Sequence, residues 1–437
     1  MTASTLSPQP TTHMEALRIA DLGLEPGVVR DLAMKFLFYR GRMTRSELAD
    51  ELRLSANVVE ELLQSLSQDE LASVLGGTTG GPNGYVYMLT QKGLDRAEQA
   101  IQRSGYVGPA PVSLRAYIAQ MESQSVRNEA ITREQIARAL APLVLSERTM
   151  TRVGRAAASR KPTLVYGKSG NGKTTVVRSL ASVVGGTIRI PFAIEIGGHI
   201  VHLFDPSKHV LAEDDEERAI EGTLLKSRAD KRWVTIHRPI IWAGGELTRH
   251  SLELVYDEQT KVYEAPLQLK ANGGTLIIDD FGRQQMPAVQ LLNRWIVPLE
   301  GGNDHLTMHT GQTIEVPFDV LVLFSTNLSP HDLADEAFLR RIRYKIEVPN
   351  PTEDEFRAIF RRECDMRSIA ASEDAVSHLL TRWYAPHGRE LRGCHPRDIV
   401  EAIVDAAMYD SQHPELTPEV IDEVCATYFL EPGLAPD

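Results

Sequence analysis

The sequence predicts an α/β protein, with a parallel-sheet core between a small N-terminal module and an all-helical C-terminal one. Three observations predict this. Short apolar strands, TLVY at 163–166, IRIPF at 188–192, IVHLF at 200–204, TLIID at 275–279 and VLVLF at 320–324, alternate with helical stretches, the pattern of a parallel sheet with helices on both faces. Beyond Pro349 and Pro351 the spacing is helical only. Before the core, three helical patterns precede a hairpin. With 437 residues and about 150 per domain, roughly three folding units are expected.

Taken in order, residues 1–25 are rich in Ser, Thr and Pro without apolar periodicity, and read as a disordered lead. From Pro26, Val29, Leu32, Ala33, Phe36 and Leu37 recur at helical spacing; Thr44 and Glu47 form a capping box before a second helix, and a third starts at Ser55. LASVL, a Gly-rich bend over 76–84 and YVYML make a hairpin, followed by a helix from Gln91 to about Arg103. The 26–110 region therefore reads as a winged helix. YVGPAPV at 106–112 has the Gly and Pro of a domain boundary. The core is expected over 111–350. There Thr132 with Gln135 caps one helix, Ser146 starts another, and Lys161-Pro162 stops it before TLVY. The helical module, 351–437, opens on a Thr352 capping box.

The formal charge, 47 − 59 = −12, repels phosphate backbones, so nucleic-acid contact would need a local basic patch. MTASTLSPQPTTHMEALRIA has no basic stretch before an apolar core, and no apolar run reaches membrane-spanning length. A cytoplasmic chain without membrane insertion is the expectation. Cys364, Cys394 and Cys425 form no C-x-x-C pair and are expected to be plain core thiols.

Gly167-Lys168-Ser169-Gly170-Asn171-Gly172-Lys173-Thr174 fits G-x-x-x-x-G-K-[ST] without mismatch, between the strand LVY and the helical TVVRSLASVV. The bare pattern arises by chance about once in fifty to a hundred chains of this length, so the flanking strand and helix make the signal specific. Gly167, Ser169, Gly170, Asn171 and Gly172 would form a nest of N–H groups for phosphate oxygens, at the positive end of the following helix. Lys173 would bridge the β- and γ-phosphates of ATP, Thr174 would give its hydroxyl to Mg²⁺, and Thr175 is grouped with the loop. About a hundred residues later, GGTLIIDDFG puts Asp279 and Asp280 at the carboxyl end of an apolar strand. Asp279 would hold Mg²⁺ through its water shell and Asp280 would orient or deprotonate the attacking water; the alternative is a pair of N-caps for the next helix.

With these two motifs the chain resembles the AAA+ ATPases over about residues 112–430, and the resemblance implies a P-loop AAA+ core with Walker A and Walker B motifs, a helical lid and a ring, expected to be a hexamer. In VLVLFSTN, Asn327 matches the family's sensor-1 position; alternatively it caps a turn before Pro330. DEAFLRRIRYKIEV resembles the segment that carries an arginine finger into the neighbouring subunit, with Arg341 as first choice and Arg340 as second. GCHPRDIVEAI resembles the sensor-2 motif, in which Arg397 reaches back to the phosphates; otherwise Arg397 pairs with Asp398 or Glu401. The departure is Asp280, where the family usually has Glu. One methylene fewer withdraws the carboxylate by more than about 1 Å and slows hydrolysis.

VPLEGGNDHLTMHTGQTIEVPFDV resembles the hairpin inserted before sensor 1 in the branch containing enhancer-binding activators, MoxR-type chaperones and ring helicases. SLELVYDEQTKVYEAPL reads as a second hairpin. Both would face a pore, or are ordinary surface hairpins. The third N-terminal helix, SANVVEELLQSLSQDE, carries Glu60, Glu61, Asp69 and Glu70 without Lys or Arg, which favours a protein partner for 26–110 over DNA. Val58, Val59, Leu62, Leu63 and Leu66 span more than one stripe, so part of this helix is expected to offer an exposed apolar docking strip. Arg40, Arg42 and Arg45 are the argument left for DNA. The expected function is ATP-driven remodelling of a macromolecular partner by a homo-oligomeric ring; a DNA-acting replication or transcription ATPase and a nucleotide-gated scaffold with slow turnover are the alternatives.

Overall fold

The computed structural model describes residues 15–76, 85–126, 131–212, 229–333 and 339–429. The chain forms two compact units, each assembled from separated stretches: Met1–Ala130, Val184–Leu276 and Gln290–Leu321 in one, Ile131–Val183, Ile277–Val289 and Val322–Asp437 in the other. This differs from the consecutive division at 25, 110 and 350 expected from the sequence.

In the first unit the helix Pro26–Arg40 starts on a proline at its first position, where the missing N–H costs nothing. Arg45–Leu52 opens on the Thr44/Glu47 capping box, and Ala56–Gln68 on Ser55. Strands Ala72–Leu75 and Val86–Leu89 pair antiparallel, Arg42–Thr44 adds a third strand, and the helix Gln91–Arg103 follows. The Gly-rich bend expected between the two hairpin strands lies, over 77–84, outside the described residues.

The apolar docking strip expected on the third helix is not there: Val58, Val59, Leu62, Leu63 and Leu66 are all fully buried. At 100° per residue these positions span about 140°, too wide for one neighbour, and the lead supplies a second. Residues 19–24, expected to be disordered, are folded, with Ile19, Leu22 and Leu24 buried. Ser55 Oγ donates to the Ala16 carbonyl at 2.7 Å, and the Ile19 amide donates to Glu61 Oε2 at 2.9 Å. Residues 1–14 lie outside the described residues.

The Gly/Pro stretch at 106–112, expected as a linker at a domain boundary, is packed rather than free. Tyr106, Ala110 and Val112 are buried, and the Ala110 amide donates to the Leu52 carbonyl at 2.9 Å. Buried Arg232 is paired with Asp230 at 2.8 Å and donates to the carbonyls of Leu22 and Pro111. One guanidinium therefore ties the lead, the supposed linker and the strand region of this unit together.

Two strands expected in the parallel sheet belong elsewhere. IRIPF forms Thr187–Pro191, antiparallel to Trp233–His237. IVHLF forms His199–His202, antiparallel to Ala193–Ile196 and parallel to Val262–Glu264. For IVHLF the reason is the connection: Gly197 and Gly198, both at positive φ, make a two-residue turn from Ala193–Ile196, and a hairpin can only pair antiparallel. Both expected hairpins form, Val255–Asp257 with Val262–Glu264 and Asn303–Thr307 with Thr313–Pro317. Leu306, Met308, Ile314 and Val316 of the second pack into the same core as Tyr263 of the first.

In the second unit the strand Thr163–Tyr166 pairs in parallel with residues 323–326 on one side and Tyr344–Glu347 on the other. Thr275–Ile278 is the further neighbour of Leu321–Thr326, so Asp279 and Asn327 follow adjacent strands. The residues after 351 are helical as expected: Glu353–Met366, Glu373–Leu379, His395–Tyr409 and Pro418–Tyr428 surround Phe356, Phe360, Trp383 and Ile399. Cys364 and Cys425 are free thiols in this core, where burial pushes them up to about 11 and about 12; Cys394 is only partly buried. No helix among the described residues is long and apolar enough to cross a membrane.

The folded lead generates a direct expectation. Leu22→Ala should lower the stability of the first unit by about 2–5 kcal/mol, the range for a buried leucine, measured by urea denaturation. An unchanged midpoint would return residues 19–24 to a disordered lead.

Candidate nucleotide site

The motif at 167–174 forms a tight loop between the strand Thr163–Tyr166 and the helix Lys173–Ser182. Gly167, Gly170 and Gly172 have φ of 145°, 82° and 81°, values L side chains rarely adopt. At two of them there is also no room: a Cβ on Gly167 would lie 2.3 Å from the Val348 carbonyl oxygen, and one on Gly170 would lie 2.6 Å from Cys394 Sγ. Gly172 is the N-cap and supplies no side-chain cap, so the first helical amides remain available to an anion.

Lys173 is buried, and its ammonium donates to the Lys168 carbonyl at 2.9 Å. Burial pulls it below its ordinary value, Asp280 and Asp279 oppose that, and Arg392 adds to it. The two carboxylates and two cations thus act on one another at the loop. Thr174 and Thr175 are exposed on the first helical turn.

Asp279 and Asp280 leave their strand in a tight turn. Asp279 Oδ1 accepts from the Asp280 amide at 3.1 Å, and Asp280 has φ of 49°, a left-handed conformation that Asp tolerates better than most residues. Gln284 braces the turn, accepting from the Gly282 amide at 2.8 Å and donating to the Asp279 carbonyl at 2.9 Å. The Phe281 amide donates to the Ser325 carbonyl at 2.7 Å, and Thr326 Oγ1 donates to the Phe281 carbonyl at 2.7 Å. These bonds lock the acidic turn beside Asn327, whose Oδ1 is buried without a hydrogen-bond partner. An orphaned buried acceptor costs free energy unless a ligand or water serves it.

Arg340 is exposed and Arg341 half-buried, just ahead of the strand Tyr344–Glu347; residues 335–338 of the same motif lie outside the described residues. Arg397 donates to Asp398 Oδ1 through Nε and Nη2 at 3.1 and 2.8 Å. Of its two sequence readings, the ion pair with Asp398 is the one seen.

Another arginine contacts the loop instead. Arg392 donates to the Ser169 carbonyl at 3.2 Å. Around it, Lys168 pairs with Glu390 at 2.5 Å, the Cys394 amide donates to the Gly170 carbonyl at 2.6 Å, and the Gly393 amide to Asn171 Oδ1 at 3.4 Å. Sequence reasoning missed this run because its two backbone amides and its pairing with Lys168 leave no residue pattern; only the charges of RELRG hinted at it. Also missed was a small cleft lined by Val144, Leu145, Asn171, Pro349, Ile359 and Gly393 among others.

The residues fit a nucleotide with its cation. The glycine cradle and free helix start suit phosphates, the orphaned Asn327 oxygen suits a polar group or water, and Thr174 with Asp279 supplies hard oxygens. No cluster of three or more His, Cys, Asp or Glu that could hold a metal ion by itself occurs among the described residues.

A family model described as a domain of unknown function, DUF8689, matches residues 352–427. No curated protein matches the sequence. Among solved structures, NtrX from Brucella abortus in complex with ATP is similar at 15% identity and a TM-score of 0.40, over 66% of this chain and 58% of that one. The RuvB Holliday junction branch migration motor of Thermotoga maritima is similar at 14% identity and a TM-score of 0.33, over 68% of this chain and 70% of that one. The chain thus spans little more than half the length of the NtrX chain, and similarity this low carries no argument about fold or activity.

Proposed function

We propose that this protein binds and hydrolyses ATP as an AAA+ ATPase, and that it works as a ring that remodels a macromolecular partner. The observation that carries the reading is the convergence of the positive-φ glycine loop, Lys173, the Asp279–Asp280 turn and the unpartnered Asn327 oxygen at the carboxyl ends of adjacent strands. A chance Gly-rich turn has no reason to stand beside two carboxylates and an orphaned acceptor.

In this reading the loop amides and the helix start bind the β- and γ-phosphates, and Lys173 leaves the Lys168 carbonyl to contact them. Thr174 and, through water, Asp279 would hold Mg²⁺, which when bound offsets phosphate charge. Asp280 orients or deprotonates the attacking water, and Asn327 donates through its amide nitrogen while its oxygen holds that water in line. The short Asp280 side chain favours slow turnover, which keeps a nucleotide-gated scaffold as the second reading. Arg341, or Arg340 in its place, completes a neighbouring subunit's site, and Arg397 would have to leave Asp398 to reach phosphate.

The N-terminal module, 26–110, is read as a winged helix that docks a protein. Its third helix is covered by the lead, and Arg40 and Arg45 are paired with Glu51 and Glu60, which weakens the case for DNA.

Lys173→Ala should abolish ATP binding, whereas Asp280→Asn should keep it and lose turnover, checked by equilibrium nucleotide binding and phosphate release. Parallel loss of both in Asp280→Asn would remove its role at the water. For Arg341, specific activity should rise with protein concentration and Arg341→Ala should lose roughly 10³-fold, the usual effect of an arginine finger. Mixing Arg341→Ala with Lys173→Ala subunits should restore part of the activity; mixed assemblies that stay silent at every ratio would place the arginine elsewhere.

A further inference from the structure

The run from Glu390 to Cys394 touches four successive residues of the phosphate loop. Lys168 is paired with Glu390, the Ser169 carbonyl accepts from Arg392, the Gly170 carbonyl accepts from the Cys394 amide, and the Asn171 side chain accepts from the Gly393 amide. Within this contact one carboxylate bridges two cations: Glu390 Oε1 lies 2.5 Å from Lys168 Nζ, and Oε2 lies 2.9 Å from Arg392 Nη2. Lys168 and the Asn350 amide both hold this carboxylate below its ordinary range. Arg392 acts electrostatically on Lys173, the lysine read as the phosphate contact. Three cations thus gather at one loop, and the negative group that bridges two of them comes from the protein itself.

We propose that Glu390 is an internal counter-ion of the phosphate site, which holds Lys168 and Arg392 at the loop and releases them to incoming nucleotide phosphate. The inference rests on the reading of 167–174 as a nucleotide site. Its physical basis is a difference in strength. The Lys168–Glu390 pair is exposed, with side chains 57% and 46% accessible, and an exposed pair of this kind is weak. A triphosphate brings several negative charges and can accept bidentate hydrogen bonds from a guanidinium, a stronger arrangement. Exchange of the carboxylate for phosphate therefore goes forward with ATP, and the carboxylate keeps the cations from repelling one another until then. Arg392, which already touches the loop, is the phosphate-contacting arginine of this segment.

The test is titration of the full-length protein with a fluorescent ATP analogue and with ADP. Glu390→Gln, which keeps the shape and removes the charge, should raise ATP affinity about 2- to 5-fold, the range an exposed ion pair spans. Arg392→Ala should lower it about 10- to 100-fold, as for loss of a hydrogen bond to a charged group, with partial recovery in Arg392→Lys. When Lys168→Ala and Arg392→Ala are already present, Glu390→Gln should make no further change, which separates a counter-ion from a merely structural contact. Unchanged or weaker ATP affinity in Glu390→Gln overturns the proposal. Lys173→Ala distinguishes the two levels: if it abolishes binding while Glu390→Gln has no effect, the counter-ion fails alone, and if it binds ATP as the wild type does, the site itself fails.

Discussion

Everything proposed for this protein depends on a backbone conformation that side chains cannot reach. The loop at 167–172 holds three glycines at positive φ, and it is closed in from outside by the Val348 carbonyl behind Gly167 and by Cys394 behind Gly170. Such a conformation is costly for any other residue, and what it offers is a concave row of N–H groups at a helix start. The rest of the second unit is arranged around that cradle. Two strands flank the one that feeds the loop, the next strand ends in the acidic turn, and the irregular run Glu390–Cys394 ahead of the helix His395–Tyr409 lies against the loop residues. A cradle formed at this expense, facing carboxylates and an orphaned acceptor, is what a phosphate ester with its cation requires.

The features legible in the sequence are those whose cause is local. The loop at 167–174 is a fixed spacing of glycines, Lys and Thr, and its strand and helix are where the pattern puts them. The caps at Thr44, Ser55, Thr132, Ser146 and Thr352 form as read, because each is a hydrogen bond over three residues. Both hairpins were readable from alternation and turn residues.

What escaped has its cause at a distance. Nothing local in Ile19 or Leu22 says that they cover a helix forty residues later, and the Ser/Thr/Pro composition around them argues the other way. Apolar alternation in IRIPF and IVHLF announces strands but not partners; the short Gly197-Gly198 connection carried the antiparallel information for IVHLF alone, and the partner of IRIPF lies some forty residues away at Trp233–His237. The Arg397 ion pair was foreseen only as an alternative, whereas Arg392 was not foreseen at all, since its contact with Ser169 depends on how the helical module meets the loop. The interleaved division into two units is likewise a property of packing, which no composition shift along the chain announces.

Whether the loop at 167–174 is a nucleotide phosphate site is decided by an experimental structure of the full-length protein with Mg²⁺ and a non-hydrolysable ATP analogue. The β- and γ-phosphates should lie in the glycine cradle, with Lys173 moved off the Lys168 carbonyl onto phosphate oxygen and Asn327 directed at the γ-phosphate region. A nucleotide bound elsewhere at full occupancy, with Lys173 still on the Lys168 carbonyl, would contradict that assignment.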